Sequence, residues 1–388
     1  MMVNLFILIF LISFSQTVEA KNFQSNFKKY EKNNTQLKYT VVSENLNYPW
    51  GMTFIDKNNL LITEKNGKIF KVDVRNGQKT YIKHNINSLK YLNNRMIFGQ
   101  GGLLDILYHK DYIYFSYSHL HLNPKTSKNN GFGSTAIGRG KLINDEIKDF
   151  EILFISNSKF KSNKHWGSRI IIENNYLYAG IGERDQGMIA QDPTKHPGSI
   201  IRIKIDGTIP KDNPKFIGYP NWLPEIFQIG LRNPQGVSKS PHDGKIYFSQ
   251  HGPMGGDNIA TIKFGGNLGW KDIAWGGKEY SGKKIGNEPF KKKYDKPFIT
   301  WVPSVGVGNF LFYKGEVFKE WSGDLIVVAT KIGNIIRLEI EDNKIKKKEL
   351  ILNKNFGRIR DLEINQRGEI FFIVDDNKSS LWKIEKAN

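Results

Sequence analysis

Six times along this chain a polar turn leads into a short run of β-branched, aromatic and aliphatic residues, and this recurrence narrows the fold more than any other feature. Asn58-Asn59 precedes Leu60 to Thr63, Lys110-Asp111 precedes Tyr112 to Phe115, and Asn174-Asn175 precedes Tyr176 to Tyr178. Asp243-Gly244, Gly323-Asp324 and Arg367-Gly368 stand in the same way before Ile246 to Phe248, Leu325 to Val328 and Ile370 to Ile373. Several units continue through a second turn into another alternating strand, as at 65–72, where Asn66-Gly67 is a tight-hairpin signature. No stretch carries a sustained helical period with caps. The runs begin 45 to 79 residues apart, a spacing that suits four-stranded blades with variable loops rather than helical repeats. The pattern predicts an all-β fold, a single six-bladed β-propeller over 39–388, with the first and last blades closing the ring together.

The N-terminus reads as an export signal. Leu5 to Phe14 is apolar but too short to span a bilayer, and Val18-Glu19-Ala20 is a small-x-small cleavage site. A signal peptide over 1–20 is therefore expected, with a periplasmic or secreted mature chain that makes no stable membrane insertion. The segment Met1 to Asn4 lacks the usual Lys or Arg, which leaves an uncleaved anchor as the alternative. Residues 21–38 are polar and lysine-rich and read as a lead-in. The chain has no cysteine, so disulfides and thiolate metal sites are excluded and stability must come from a large core. With 388 residues there is enough chain to bury one.

A net charge of +19 raises the question of nucleic acid. The lysines are spread along the chain, with only short clusters at 291–293 and 346–348, and no arginine-rich helix is present. They read as a solvated surface, and no nucleic-acid partner is expected.

Only 11 of the 57 basic residues are arginines, so arginines set in glycine-rich turns stand out. His165 to Arg169, Arg232 to Gly236, His251 to Asp257, Lys331 and Arg358-Ile-Arg360 are all of this kind. Arginine forks match carboxylates, and glycine lets backbone approach a ligand. On a propeller such loops converge at one mouth of the channel, where they would form a pocket for a compact polyanion. Taken singly, each is also ordinary turn chemistry. His165, beside a tryptophan, also suits a satisfied core position, and Arg358 and Arg360 a surface pair on one strand face.

As an ordered set these segments are more specific. Leu46 to Met52, Gly99 to Asp105, His165-x-Gly-x-Arg169, Gly180 to Glu183, Ile205 to Pro214, Gly230 to Gly236, His251-Gly-Pro253 and Arg358-x-Arg-Asp361 follow the order found in soluble quinoprotein sugar dehydrogenases. From about Leu46 to Lys383 the chain resembles the glucose/sorbosone (aldose sugar) dehydrogenase family, which uses pyrroloquinoline quinone (PQQ). The resemblance implies a propeller that oxidises the anomeric carbon of an aldose sugar to a lactone and passes electrons to a quinone or cytochrome acceptor. It implies His165 as the catalytic base, with His251 second in line, and Arg232 and Asn233 on the quinone oxygens. Gln100 becomes a further contact, and Lys331, Arg358 and Arg360 become partners of the cofactor carboxylates. The carbonyls of Gly252 and Pro253 become ligands of a calcium ion.

Two departures from the family pattern stand out. The residue that partners the catalytic histidine and arginine is usually Asp and is here Glu183, one methylene longer. The Glu and Tyr that help hold a second, structural calcium are replaced by Asn258 and Leu268, which implies loss of that site. Two other readings stay open: a cofactor-free propeller that binds carbohydrate or protein, and a calcium-dependent propeller hydrolase. The second needs carboxylate and amide side chains aimed at a channel metal, and no such cluster stands out.

Overall fold

The computed structural model describes residues 30–387 apart from 93, 95, 96, 98, 123–128 and 353, so the expected signal peptide lies outside the described residues. No helix among them is long and apolar enough to cross a membrane. The described elements are strands and three short 3-10 turns.

The strands form six sheets of four or five strands, each a blade of one propeller. The innermost strands of blades 1 to 6 are Pro49–Phe54, Leu103–His109, Gly167–Glu173, Pro234–Lys239, Val307–Phe312 and Ile359–Ile364, and each contacts the next around a ring. The ring is closed by the N-terminal strand Leu37–Leu46, which pairs antiparallel with Ser379–Lys386 as the outermost strand of blade 6. The closure is thus shared between chain ends, as the repeat pattern suggested. Within the polar lead-in, Glu31–Lys32 pairs parallel with Lys344–Leu350 at the edge of blade 5, and Asn33 Nδ2 donates to Glu349 Oε2 at 2.9 Å.

The core is divided into wedges between successive blades. On the strand Asn59–Glu64, Leu60 and Ile62 pack toward Phe371, Ile373 and Leu381 of blade 6, while Leu61 packs toward Leu103, Ile106 and Phe115 of blade 2. Successive side chains of a strand point to opposite faces, and both faces of a blade are buried. This is why the runs are continuously apolar rather than strictly alternating.

All six inner strands slip register near their start, between Pro49/Met52, Leu103/Ile106, Gly167/Ile170, Pro234/Gly236, Val307/Phe310 and Ile359/Asp361. A bulge re-aims the local side chain. At these bends side chains meet on the propeller axis around Arg169. Its Nη1 donates to Asp105 Oδ1 (2.7 Å) and Asp361 Oδ2 (3.1 Å), its Nε donates to the Gln235 carbonyl (2.9 Å), and its guanidinium lies 4.2 Å over the Trp50 ring. Asn309 Nδ2 completes the ring by donating to Asp361 Oδ1 at 2.6 Å.

Removing one partner of a buried ion pair leaves the other charge without compensation, at a cost of about 3–5 kcal/mol. Arg169→Ala is therefore expected to lower the urea midpoint by that equivalent while the other buried residues are untouched. A change under about 1 kcal/mol would show that the axial cluster does not hold the blades together.

Candidate functional site: the axial pocket

The pocket follows from strand direction. In an antiparallel blade, the residues just before the inner strand and just after the second strand emerge at the same end of the channel. Gln100, Trp166, Asn233, Gly306 and Arg358 occupy the first position in their blades, and Lys65, His251 and Lys331 occupy the second. These residues, with Trp50, Gln235, Gly252, Pro253, Tyr280, Arg360 and Asp375, line one cavity of about 240 Å³. The expected residues Gln100, Asn233, Gly252, Pro253, Lys331, Arg358 and Arg360 are thus brought together from four blades.

Arg232 lies in a small adjoining cavity that shares His251 and Gly252. Its guanidinium sits 5.3 Å from the Trp270 ring, with Nη1 3.4 Å from the Gly252 carbonyl.

His165 and Glu183 take the same two positions in blade 3, just behind the cavity wall. His165 has a left-handed backbone (φ 50°), and its carbonyl lies where a Cβ on Gly182 would stand 2.0 Å away, so this turn requires glycine at 182. The His165 N–H donates to Gln100 Oε1 at 2.7 Å, and the Gly167 N–H donates to Asn233 Oδ1 at 3.0 Å. The histidine is thereby tied to two residues of the wall. Its Nδ1 is 2.5 Å from Glu183 Oε1, and Glu183 Oε2 accepts from the N–H groups of Gln186 and Gly187 at 2.5 and 2.7 Å.

The electrostatics assign the proton between them. Burial pulls the His165 pKa down, Glu183 pulls it back up, and Arg232 adds to the lowering. Burial raises the Glu183 carboxyl, but the His165 bond and the backbone donors bring it below its ordinary value. The pair is an ionised Glu183 accepting from Nδ1–H of a neutral His165, which leaves Nε2 as the basic nitrogen. His251 also lines the cavity, but burial and then Arg360, Arg232 and Arg358 hold it well below its ordinary pKa. Among the described residues no carboxylate offsets this lowering for His251, whereas His165 has Glu183.

One expectation is corrected here. Arg169, counted among the cations of the pocket, is buried at the axis between Asp105 and Asp361 and carries structure instead. Conversely, Lys65, Asp375, Trp50, Trp166 and Tyr280 line the pocket without having been singled out as ligand contacts. The available signal was positional, since Lys65 and Asp375 follow the second strands of blades 1 and 6 as His251 and Lys331 follow those of blades 4 and 5.

The donor set fits an anionic, planar guest. Among the described residues, Arg232 Nε, Arg360 Nε, Trp166 Nε1 and His251 Nε2 are buried without a hydrogen-bond partner. Such groups are costly to leave unmet. The Gly252 and Pro253 carbonyls beside them are hard oxygens of the kind calcium takes. Asn258 and Leu268, the replacements named above, have internal partners. Asn258 Nδ2 donates to the Gly256 carbonyl (2.8 Å), Gln250 Nε2 donates to Asn258 Oδ1 (3.3 Å), and Trp275 Nε1 donates to the Leu268 carbonyl (2.9 Å).

Fold and pocket together define a six-bladed propeller with a cation-lined cavity at one mouth of its axis. Residues 46–383 match the family described as glucose/sorbosone dehydrogenase, and the chain belongs to that family. It is 30% identical over 359 residues to aldose sugar dehydrogenase YliI of Escherichia coli strain K12, which covers 90% of this chain and 92% of that protein. It is 26% identical over 457 residues to quinoprotein glucose dehydrogenase B of Acinetobacter calcoaceticus, covering 96% and 92% of the two chains. The crystal structure of the soluble aldose sugar dehydrogenase of Escherichia coli in its apo-form matches with a TM-score of 0.81 at 29% identity, covering 91% of this chain and 100% of that one.

Because the folded state depresses the His165 pKa, its contribution to stability is complete above the unfolded value of about 6.5 and drains away as pH falls through the folded value. Histidine NMR titration of the apoprotein should place His165 below 6.5, and Glu183→Gln should move it lower still. A His165 titration above 6.5 would contradict the assignment.

Proposed function

We propose that this protein is an exported, PQQ- and calcium-dependent aldose dehydrogenase that oxidises the anomeric carbon of a sugar to a lactone. The observation that carries the reading is the carboxylate-held His165 set against a wall of cations and unpartnered buried donors. Family membership places the chain among sugar dehydrogenases, and the quinoprotein relative supports PQQ.

Oxidation of a hemiacetal carbon removes a hydroxyl proton as a hydride leaves the carbon. Neutral His165 takes the proton at Nε2, and Glu183 stabilises the imidazolium through Nδ1. When bound, PQQ supplies the hydride acceptor, and calcium at the Gly252 and Pro253 carbonyls supplies a Lewis acid. Arg232 and Asn233 would hold the quinone oxygens, where Arg232 would offset negative charge. Lys331, Arg358 and Arg360 would meet the carboxylates, while Gln100 Oε1 holds the His165 N–H and its side chain would also contact the guest. Trp50 and Trp166 give the cavity aromatic walls that suit a planar ring system. With Asn258 and Leu268 internally satisfied, one calcium per chain serves the site. Export through the 1–20 signal places the reaction in the periplasm or outside the cell, where a quinone or cytochrome takes the electrons.

Reconstitution of the purified apoprotein with PQQ and calcium should yield dye reduction with aldoses. His165→Gln should keep PQQ binding and lose roughly 10²-fold or more in turnover, the usual worth of a positioned acid–base group. Dye reduction that is absent in the wild type, or unchanged in the variant, would refute the reading.

A further inference from the structure

The floor of the pocket carries a charge arrangement that the roles above leave unexplained. Lys65 is a lysine with 3% side-chain exposure, and its Nζ pairs with Asp375 Oδ1 at 2.8 Å. Asp375 Oδ2 is 2.5 Å from Arg360 Nη2 and 3.8 Å from Arg358 Nε. Buried Lys65 and Arg360 thus pair with one carboxylate, and the half-exposed Arg358 stands farther off, all four lining the same cavity. The backbone fixes this geometry. The Asp375 N–H donates to the Arg358 carbonyl at 2.8 Å, and the Lys65 N–H donates to the Tyr48 carbonyl at 3.0 Å. Gly102, at φ 139°, packs so close that a Cβ there would stand 2.2 Å from the Lys65 carbonyl oxygen. The other carboxylate of the wall, Asp257, is committed to backbone, with Oδ1 accepting from Gly252 N–H and Oδ2 from Gly306 and Val307 N–H.

A solvent-exposed lysine–carboxylate pair would contribute little. This pair is desolvated, and its carboxylate also faces both clamp arginines. Without Lys65, the carboxylate would cancel one arginine, and the floor would fall from three cations against one anion (+2) to two against one (+1). We propose that Lys65 and Asp375 form a charge-setting pair for the cofactor pocket. Lys65 neutralises Asp375, so that Arg358 and Arg360 act on the guest's carboxylates at full charge. This rests on the reading of the site as a PQQ pocket. Burial lowers the Lys65 pKa below its ordinary value and Arg360 and Arg358 add to this, while the contact with Asp375 opposes it; against its own burial, Asp375 is in turn held at about 2 by Arg360 and Lys65.

The electrostatic role makes the two residues behave oppositely, which a packing role does not. PQQ affinity is read by quenching of tryptophan fluorescence, Trp50 and Trp166 being in the wall. Lys65→Met should weaken PQQ binding by roughly tenfold or more, the scale of one charge at several ångströms in a partly buried site, and Lys65→Arg should hold it. Asp375→Asn should bind PQQ as tightly as the wild type or tighter, while its apoprotein melts lower because three cations then face each other, and PQQ should restore that loss. The double variant Lys65→Met/Asp375→Asn, back at a floor charge of +2, should recover most of the affinity lost in Lys65→Met. A double variant that binds as weakly as Lys65→Met or worse would overturn the proposal, as would equal weakening by both single changes. Failure of the wild type to bind PQQ would instead overturn the cofactor reading and this proposal with it.

Discussion

The architecture depends on one buried arginine. Arg169 reaches the propeller axis from blade 3 and engages Asp105 of blade 2, Asp361 of blade 6, the Gln235 carbonyl of blade 4 and the Trp50 ring of blade 1. Asn309 of blade 5 completes the circle through Asp361. Burial pushes Asp105 up to about 6 even against the pull of Arg169, and it raises Asp361 in the same way. These charges are tolerated at the centre because each is held from several sides. The benefit falls on the neighbours. Gln235, whose carbonyl Arg169 engages, accepts at Oε1 from Nη1 of Arg360, the residue before Asp361, at 3.0 Å, so the axial cluster is joined to the pocket lining.

The site is a second layer on that frame. Each blade delivers residues to the same mouth from before its inner strand and after its second strand, so no loop has to travel far to contribute. This places cations, aromatic walls and a neutral histidine around one cavity while keeping most of their polar atoms paired. Among the described residues, several buried polar atoms lack partners in various parts of the fold, and those of Arg232, Arg360, Trp166 and His251 lie at the cavity and its neighbour, where a guest could meet them. The departure at Glu183 fits as well. Its longer arm reaches His165 Nδ1 from a loop whose backbone is pinned by the bond of Glu183 N–H to the Arg232 carbonyl at 2.9 Å.

The strands were legible because a blade is buried on both faces, which writes itself as runs such as Leu60 to Ile62 and Leu325 to Val328 between Asn, Asp and Gly turns. Much of the pocket was legible because His251 and Arg358 stand beside glycine and Arg232 lies two residues from both a glycine and a proline, where a close backbone approach is the plainest explanation. Lys65 and Asp375 were not, since a lysine before Asn-Gly and an aspartate before Asp-Asn are ordinary turn residues in sequence. Arg169 carried the same local pattern as the pocket arginines. Only the bulge in blade 3 decides that it points down the axis rather than into the mouth. Local composition thus identifies the loops that converge, and the strand bends decide which side chain faces the guest.

The central claim is that the axial pocket holds a carboxylate-bearing quinone under His165, and a crystal structure of the protein soaked with PQQ and calcium tests it most directly. The account predicts PQQ in the cavity between Trp50 and Trp166, its carboxylates on Lys331, Arg358 and Arg360, one calcium on the Gly252 and Pro253 carbonyls, and His165 still bound to Glu183. PQQ bound elsewhere on the propeller, or a cavity left empty at saturating ligand, would contradict it.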